Sequence, residues 1–180
     1  MMFRQFLFVM LAIAAAGPGM VSPANAADDN VHFTGALVAE PCVIPPGEES
    51  IPLEFGTVID RYLYENQRTH SEDFTLHLTA CDPAIAGTVI VTFSGTPSGP
   101  LPGLLALDGG SAATGVAIGL ENGDGSALKL EEATSPVSIT NGEMRLPFRA
   151  YVQAEPQAVS AHSIGLGEFT ATATFSLSYE

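Results

Sequence analysis

Hydrophobic and polar positions alternate with period two along most of this chain, most clearly in its last stretch. Phe169, Ala171, Ala173, Phe175, Leu177 and Tyr179 alternate with Thr170, Thr172, Thr174, Ser176 and Ser178. This pattern predicts a strand over residues 169–180 with one apolar face and one hydroxyl face. The chain stops on that strand, so whatever covers its free edge is expected to come from earlier in the chain or from another molecule. A long, flat, apolar edge is something proteins normally avoid.

The same period recurs upstream. Val31, Phe33, Gly35, Leu37 and Ala39 alternate with His32, Thr34, Ala36 and Val38 and predict a first strand. Phe74, Leu76, Leu78 and Ala80 lead into Cys81. Val89, Val91 and Phe93 follow a Cys81-Asp82-Pro83 turn. Val116, Ile118 and Leu120 stop at Asn122-Gly123-Asp124-Gly125, read as a hairpin turn. Leu146, Phe148, Ala150 and Val152 form a further strand, in which Pro147 points to an edge position or a bulge. Turn-rich stretches separate these runs, and no long capped amphipathic helix is evident. The expectation is an all-β, antiparallel sandwich.

The beginning of the chain reads differently. Arg4, the apolar run 6–16 and Ala24-Asn25-Ala26 predict a secretory leader over residues 1–26, with the mature protein starting at Ala27. The apolar run is too short to span a bilayer, and no other run of about 18 apolar residues follows, so a soluble mature protein without membrane insertion is expected. In an exported chain the two cysteines, Cys42 and Cys81, are read by default as a disulfide. Closing a loop of about 40 residues is worth about 4 kcal/mol in the chain-entropy model. A metal pair is the competing reading, but two cysteines are too few for a closed zinc site and no histidine stands at ligand spacing.

Charge and candidate chemistry narrow the function classes. Twenty acidic residues against six basic ones give a net charge of −14. Nucleic acid is therefore not an expected partner, because phosphate binding needs a basic face. There is no G-x-S-x-G elbow and no H-E-x-x-H; Gly95-Thr96-Pro97-Ser98-Gly99 has its serine one place late. His32, His70, His77 and His162 are scattered, and His32 and His77 fall on the polar parity of their strands, where a solvent-facing side chain is expected. No catalytic residue, metal or cofactor is assigned. The polar-aromatic stretch Arg61-Tyr62-Leu63-Tyr64 with Asn66-Gln67-Arg68 fits either an exposed connection or a surface that stacks on a sugar or a partner.

Taken in order, these residues resemble a family: the pilins of bacterial chaperone–usher fimbriae, especially the minor tip and adaptor subunits of type 1 and P pili. The resemblance rests on Val31-His32-Phe33-Thr34-Gly35, Pro41-Cys42, the strand from Phe74 to Cys81 and Val91-Thr92-Phe93-Ser94-Gly95. It continues through Leu146-Pro147-Phe148-Arg149-Ala150-Tyr151, Gly167, Ala171-Thr172-Ala173-Thr174-Phe175 and Tyr179.

The resemblance implies an incomplete immunoglobulin-like β-sandwich that lacks its final strand and is completed by donor-strand complementation. It implies residues 27–40 as a donor extension overlapping the first strand, with Val31, Phe33, Gly35 and Leu37 as donor residues, and residues 41–180 as the pilin domain. Gly167, Phe169, Ala171, Ala173, Phe175, Leu177, Tyr179 and Glu180 would form the acceptor groove and chaperone-binding surface, the Glu180 carboxylate meeting basic chaperone residues. The implied partners are a periplasmic chaperone, an outer-membrane usher and neighbouring pilins, and the implied location is a surface fimbrium serving cell adhesion. The competing readings are a fimbrial adhesin or secreted carbohydrate-binding sandwich, and, more remotely, a hydrolase. The chain is too short for a lectin domain ahead of a pilin domain, and it has no Trp for sugar stacking.

Overall fold

The strands form where alternation is strict, and they assemble into two antiparallel sheets. A computed structural model describes residues 33–180, and the chain divides into two units, Met1–Leu37 and Val38–Glu180. The elements in order are α1 (Asp60–Asn66), β1 (Glu72–Cys81), β2 (Thr88–Gly95), β3 (Val116–Asn122), β4 (Ala127–Leu128), β5 (Val137–Ser138), β6 (Gly142–Ala154), α2 (Pro156–Ala161) and β7 (Ala173–Tyr179). One sheet has the order β1-β6-β3-β4 and the other β5-β2-β7. Among the described residues no helix is long and apolar enough to cross a membrane.

The core lies between the sheets. Leu76, Leu78, Ile118, Leu146, Phe148 and Val152 come from the first sheet, and Val89, Val91 and Phe93 from the second. Phe93 meets Phe148 edge-on at 5.0 Å between ring centres, with Phe74 also edge-on to Phe93 at 6.0 Å. Such aromatic contacts add to the burial that drives the sheets together.

The predicted hairpin at Asn122-Gly123-Asp124-Gly125 is present and joins β3 to β4, with the Asn122 amide bonded to the Ser126 carbonyl at 2.9 Å.

Several expectations change. The predicted first strand does not form among the described residues: residues 33–40 have no regular structure, and Val31 and His32 lie outside the described residues, as does the leader 1–26. Pairing begins only at Val43, which exchanges two 2.8 Å main-chain bonds with Thr79. Cys42 therefore follows an unpaired segment, not a strand.

Pro147 lies in β6, the strand between β1 and β3, and neither at an edge nor at a bulge. The reason is register. Val152 turns its amide and carbonyl toward Thr69 on the β1 side, so Pro147, of opposite parity, turns toward β3. The β3 pairing has already ended there, at Asn122 opposite Phe148, and no ladder bond is lost to the missing N–H.

His77 keeps the predicted outward parity but is covered. Its side chain is only 15% exposed, with Nδ1 2.9 Å from Glu48 and Nε2 3.8 Å from Glu143. Glu48, from the loop after the disulfide cysteine Cys42, is what folds over it.

In β1 the alternation breaks where the cysteine needs it to. Ala80 has φ 51° and is exposed, and the register slips between Leu78 and Cys81. This bulge restores inward parity for Cys81, which would otherwise face out after Leu78.

The outer face of the first sheet is also covered. Gly119 sits under the ring of Tyr151, where any Cβ would collide with it, and the Arg68 guanidinium carbon lies over the same ring, 3.6 Å from its centre. Substituting Gly119→Ala should cost about 1–3 kcal/mol by displacing Tyr151, measured as a lowered urea midpoint; an unchanged midpoint would show that the ring is free to move.

Candidate functional site

The site is an open seam along β7. Among the described residues this strand is the edge of its sheet and pairs only with β2, from Gly95↔Ala173 to Val89↔Tyr179. Glu180 continues the pairing: its main-chain oxygen accepts from Gly87 at 2.7 Å and from Thr88 at 2.9 Å, and its amide donates to Thr88 at 3.1 Å. Even-numbered residues thus direct their main-chain groups to β2. By strand alternation, Ala173, Phe175, Leu177 and Tyr179 direct theirs to the open side. Their side chains point to the core but remain half-buried, while Thr174, Ser176 and Ser178 are exposed.

The ladder is shorter than the alternation predicts. Residues 168–172 are extended but belong to no strand, because β2 ends at Gly95. Their partner is a loop: Asp108 donates to Thr170 at 2.8 Å and Ala112 to Glu168 at 2.8 Å. Phe169 and Ala171 continue the half-buried apolar row. Gly167 stands at the start of this row. Its φ of +149° and the close approach of Ala112 to where a Cβ would stand require glycine at the turn into the row.

A second wall faces this row. Ile51, Leu53, Phe55 and Val58 are half-buried against the core, while Pro52, Glu54, Gly56 and Thr57 are exposed. Among the described residues no main-chain hydrogen bond involves residues 51–58. Phe55 meets Phe169 at 6.3 Å between ring centres. At the other end, Tyr179 has its hydroxyl pKa raised, first by burial and then by the charge of Glu40. The two extended segments therefore run in opposite directions along the seam. A narrow cavity of about 50 Å3, lined by Val58, Leu63, Val116, Val152, Ile164 and Phe169 among others, lies at the Gly167 end. The period-two signal of residues 51–55 was present in the sequence but was masked by Pro52 and Gly56, which read as turn residues.

The expected disulfide fixes the start of the second wall. Cys42 and Cys81 are bonded, both buried, with Cα atoms 4.1 Å apart. Beside them Asp82 donates to the Pro41 carbonyl at 2.7 Å.

Of the expected donor residues, those described are all exposed. Phe33 and Leu37 are almost fully exposed, Gly35 has nothing within 4 Å of where a Cβ would stand, and Val31 lies outside the described residues.

A seam with two apolar walls and free main-chain groups is a sandwich missing one strand, and a comparison with known families identifies it. The fimbrial protein family model matches residues 31–180. The chain belongs to the fimbrial protein family. This fimbrial subunit is 33% identical to the Fimbria A protein of Serratia marcescens over 96% of its own length and 97% of that protein. It is 34% identical to the fimbrial adapter PapK of Escherichia coli, covering 88% of the subunit and 92% of PapK. The crystal structure of the P pilus rod subunit PapA superposes with a TM-score of 0.68 at 25% identity, over 78% of the subunit and all of that chain. The subunit is thus an incomplete immunoglobulin-like sandwich and a structural component of an exported surface fimbria. Its family is one of structural fimbrial subunits.

Away from the seam the subunit buries one carboxylate, which sequence reasoning missed. Glu121 sits on the outer face of β3 and is 5% exposed. Arg68 Nη1 donates to it at 2.8 Å and Ser71 Oγ at 2.6 Å. Burial by itself raises its pKa, but the hydrogen bonds from Arg68 and Ser71 and the charges of Arg68 and Arg149 outweigh it, so the pKa lies below the ordinary value. A pKa lower in the folded than in the unfolded chain stabilises the fold above the ordinary glutamate value and loses that stabilisation as pH falls through the lowered one. Glu121→Gln should therefore cost about 1–3 kcal/mol at neutral pH. The deficit should shrink below about pH 4, read from urea midpoints at the two pH values. A deficit independent of pH would count against the ion pair as its cause.

Proposed function

We propose that this fimbrial subunit is polymerised by donor-strand exchange, and that its seam is the acceptor groove. The observation that carries the reading is the pairing of two half-buried apolar rows, Ile51/Leu53/Phe55 and Phe169 to Tyr179, each with main-chain groups that no strand among the described residues satisfies. An extended strand laid between them gains main-chain hydrogen bonds on its flanks and buries alternate side chains. A periplasmic chaperone supplies that strand first. At the outer-membrane usher, the extension of the next subunit replaces it.

Residues 27–40 are this subunit's own donor extension, following removal of the leader 1–26, and residues 41–180 are the acceptor domain. Val31, Phe33 and Leu37 enter a neighbour's groove from one side of the extended segment, and Gly35 allows close backbone approach. Burying these three side chains contributes about 1.5–3 kcal/mol each before ordering costs. Glu180, whose main chain is tied to Thr88, brings its terminal charge to the groove mouth, where basic chaperone residues meet it. The contact between successive subunits is head-to-tail and does not close, as a filament requires. The role is structural, supporting cell adhesion, with no catalytic step. Likeness to PapK favours a minor, adaptor-type position in the fibre.

The test is co-expression with and without the chaperone, in the full chain and with residues 27–40 deleted. The full chain should accumulate only with chaperone, as a 1:1 complex. The deletion should still form that complex but should not pass its strand to a neighbour. A stable monomer without any partner would sink the proposal.

A further inference from the structure

The outer face of the first sheet holds a second, unrelated feature. Helix α1, residues 67–71 and β6 enclose an open cleft of about 460 Å3, walled by Tyr62, Asn66, Arg68, His70, Ser71 and Arg149 with Thr69. That is a volume suited to a small ligand. The cleft lies on the face opposite the core, so a filled groove leaves it open.

Its groups are fixed in place but not all used. Arg68 is committed: Nη1 to Glu121, Nη2 to Ser71 at 2.7 Å, and its guanidinium carbon over the Tyr151 ring. Tyr62 is oriented by a 3.0 Å bond between its hydroxyl and His70 Nε2. Asn66 donates its amide NH2 to the Tyr62 carbonyl at 3.1 Å, and its side-chain oxygen has no partner among the described residues. Arg149 is different. It spends only Nε, on Asp73 at 2.6 Å, and its two Nη atoms have no hydrogen-bond partner among the described residues. An arginine held by one nitrogen while its outer pair is free is a fork set for a carboxylate.

The rest of the cleft narrows the ligand. Its lining is polar throughout, which disfavours an apolar molecule. Glu121 and Asp73 offset the two guanidinium charges, and the chain as a whole carries −14, so a polyanion or a phosphate dianion would be repelled. A single carboxylate on a hydroxyl-rich body fits both constraints. Its hydroxyls would meet the free side-chain oxygen of Asn66 and the Thr69 hydroxyl, and one sugar face the Tyr62 ring. We propose that this cleft binds a carboxylate-bearing sugar unit, a hexuronic or sialic acid.

The experiment is saturation-transfer NMR on the folded full chain with its chaperone, using methyl glucuronide, the methyl glycoside of sialic acid, and neutral methyl glucoside. Transfer to at least one acidic sugar and clearly less to the glucoside is expected. Arg149→Gln should weaken the acidic sugar about tenfold, to the level of the neutral one, and Tyr62→Ala should reduce transfer to the ring protons. Equal transfer from acidic and neutral sugars, no transfer from either acidic sugar, or full binding by Arg149→Gln would overturn the proposal. None of these results depends on strand exchange.

Discussion

A subunit carrying Phe175→Asp should form no stable complex with its chaperone, and Leu53→Asp should do the same. Phe175 sits mid-way along the open row, paired with Phe93, whose ring packs against Phe74 and Phe148. A carboxylate there would be enclosed by apolar groups once a strand covered it, without a cation to pair with. Losing a buried phenyl ring alone costs about 3–5 kcal/mol, more than a hundredfold in affinity. Leu53 is the sharper test, because it lies in a segment with neither ladder bonds nor a recognised strand. If Leu53→Asp captured chaperone as the unmodified subunit does, the groove would have only its β7 wall. Ser176→Asp, one residue along but on the exposed face, should bind normally and controls for charge. Affinity purification of co-expressed chaperone reads all three.

Removing the disulfide, by Cys81→Ser or by reduction, should cost about 2–5 kcal/mol. The loss should fall on one segment above all, for a local reason. Among the described residues, 51–58 make no main-chain hydrogen bonds. They are held by side-chain packing and anchored upstream by Cys42 and the Val43–Thr79 pair and downstream by buried Leu63 on α1. Cutting the upstream anchor should let the second wall leave the seam. Reduced protein should therefore show a lower urea midpoint and faster proteolysis within residues 44–58, and lose chaperone capture. Equal cleavage rates before and after reduction would mean that packing alone holds the wall.

The alternation in Leu76/Leu78, Val89/Val91/Phe93, Ile118/Leu120, Leu146/Phe148/Val152 and Phe175/Leu177 was legible because strand parity is local: each side chain's face follows from its neighbours' geometry. The readings that failed depended on partners far away in sequence. Pro147 was read as an edge or bulge residue because a central proline ordinarily breaks a ladder, but where β3 stops is fixed by the hairpin at Asn122. His77 was read as solvent-facing because parity says nothing of a loop such as that carrying Glu48. Glu121 carries no signal of its burial, because nothing in its sequence neighbourhood foretells Arg68 arriving from the end of α1.

The seam divides in the same way. By itself, the sequence determined that residues 169–179 present an apolar face, that the two cysteines bridge, and that the chain resembles a family of strand-exchanging subunits. Only the tertiary structure decided that, among the described residues, β7 is an edge, Ile51, Leu53 and Phe55 form the opposite wall, and no strand lies between them. Alternation is written residue by residue along one segment. Whether an edge is covered depends on which segments the closed core brings alongside it, and no local pattern encodes that.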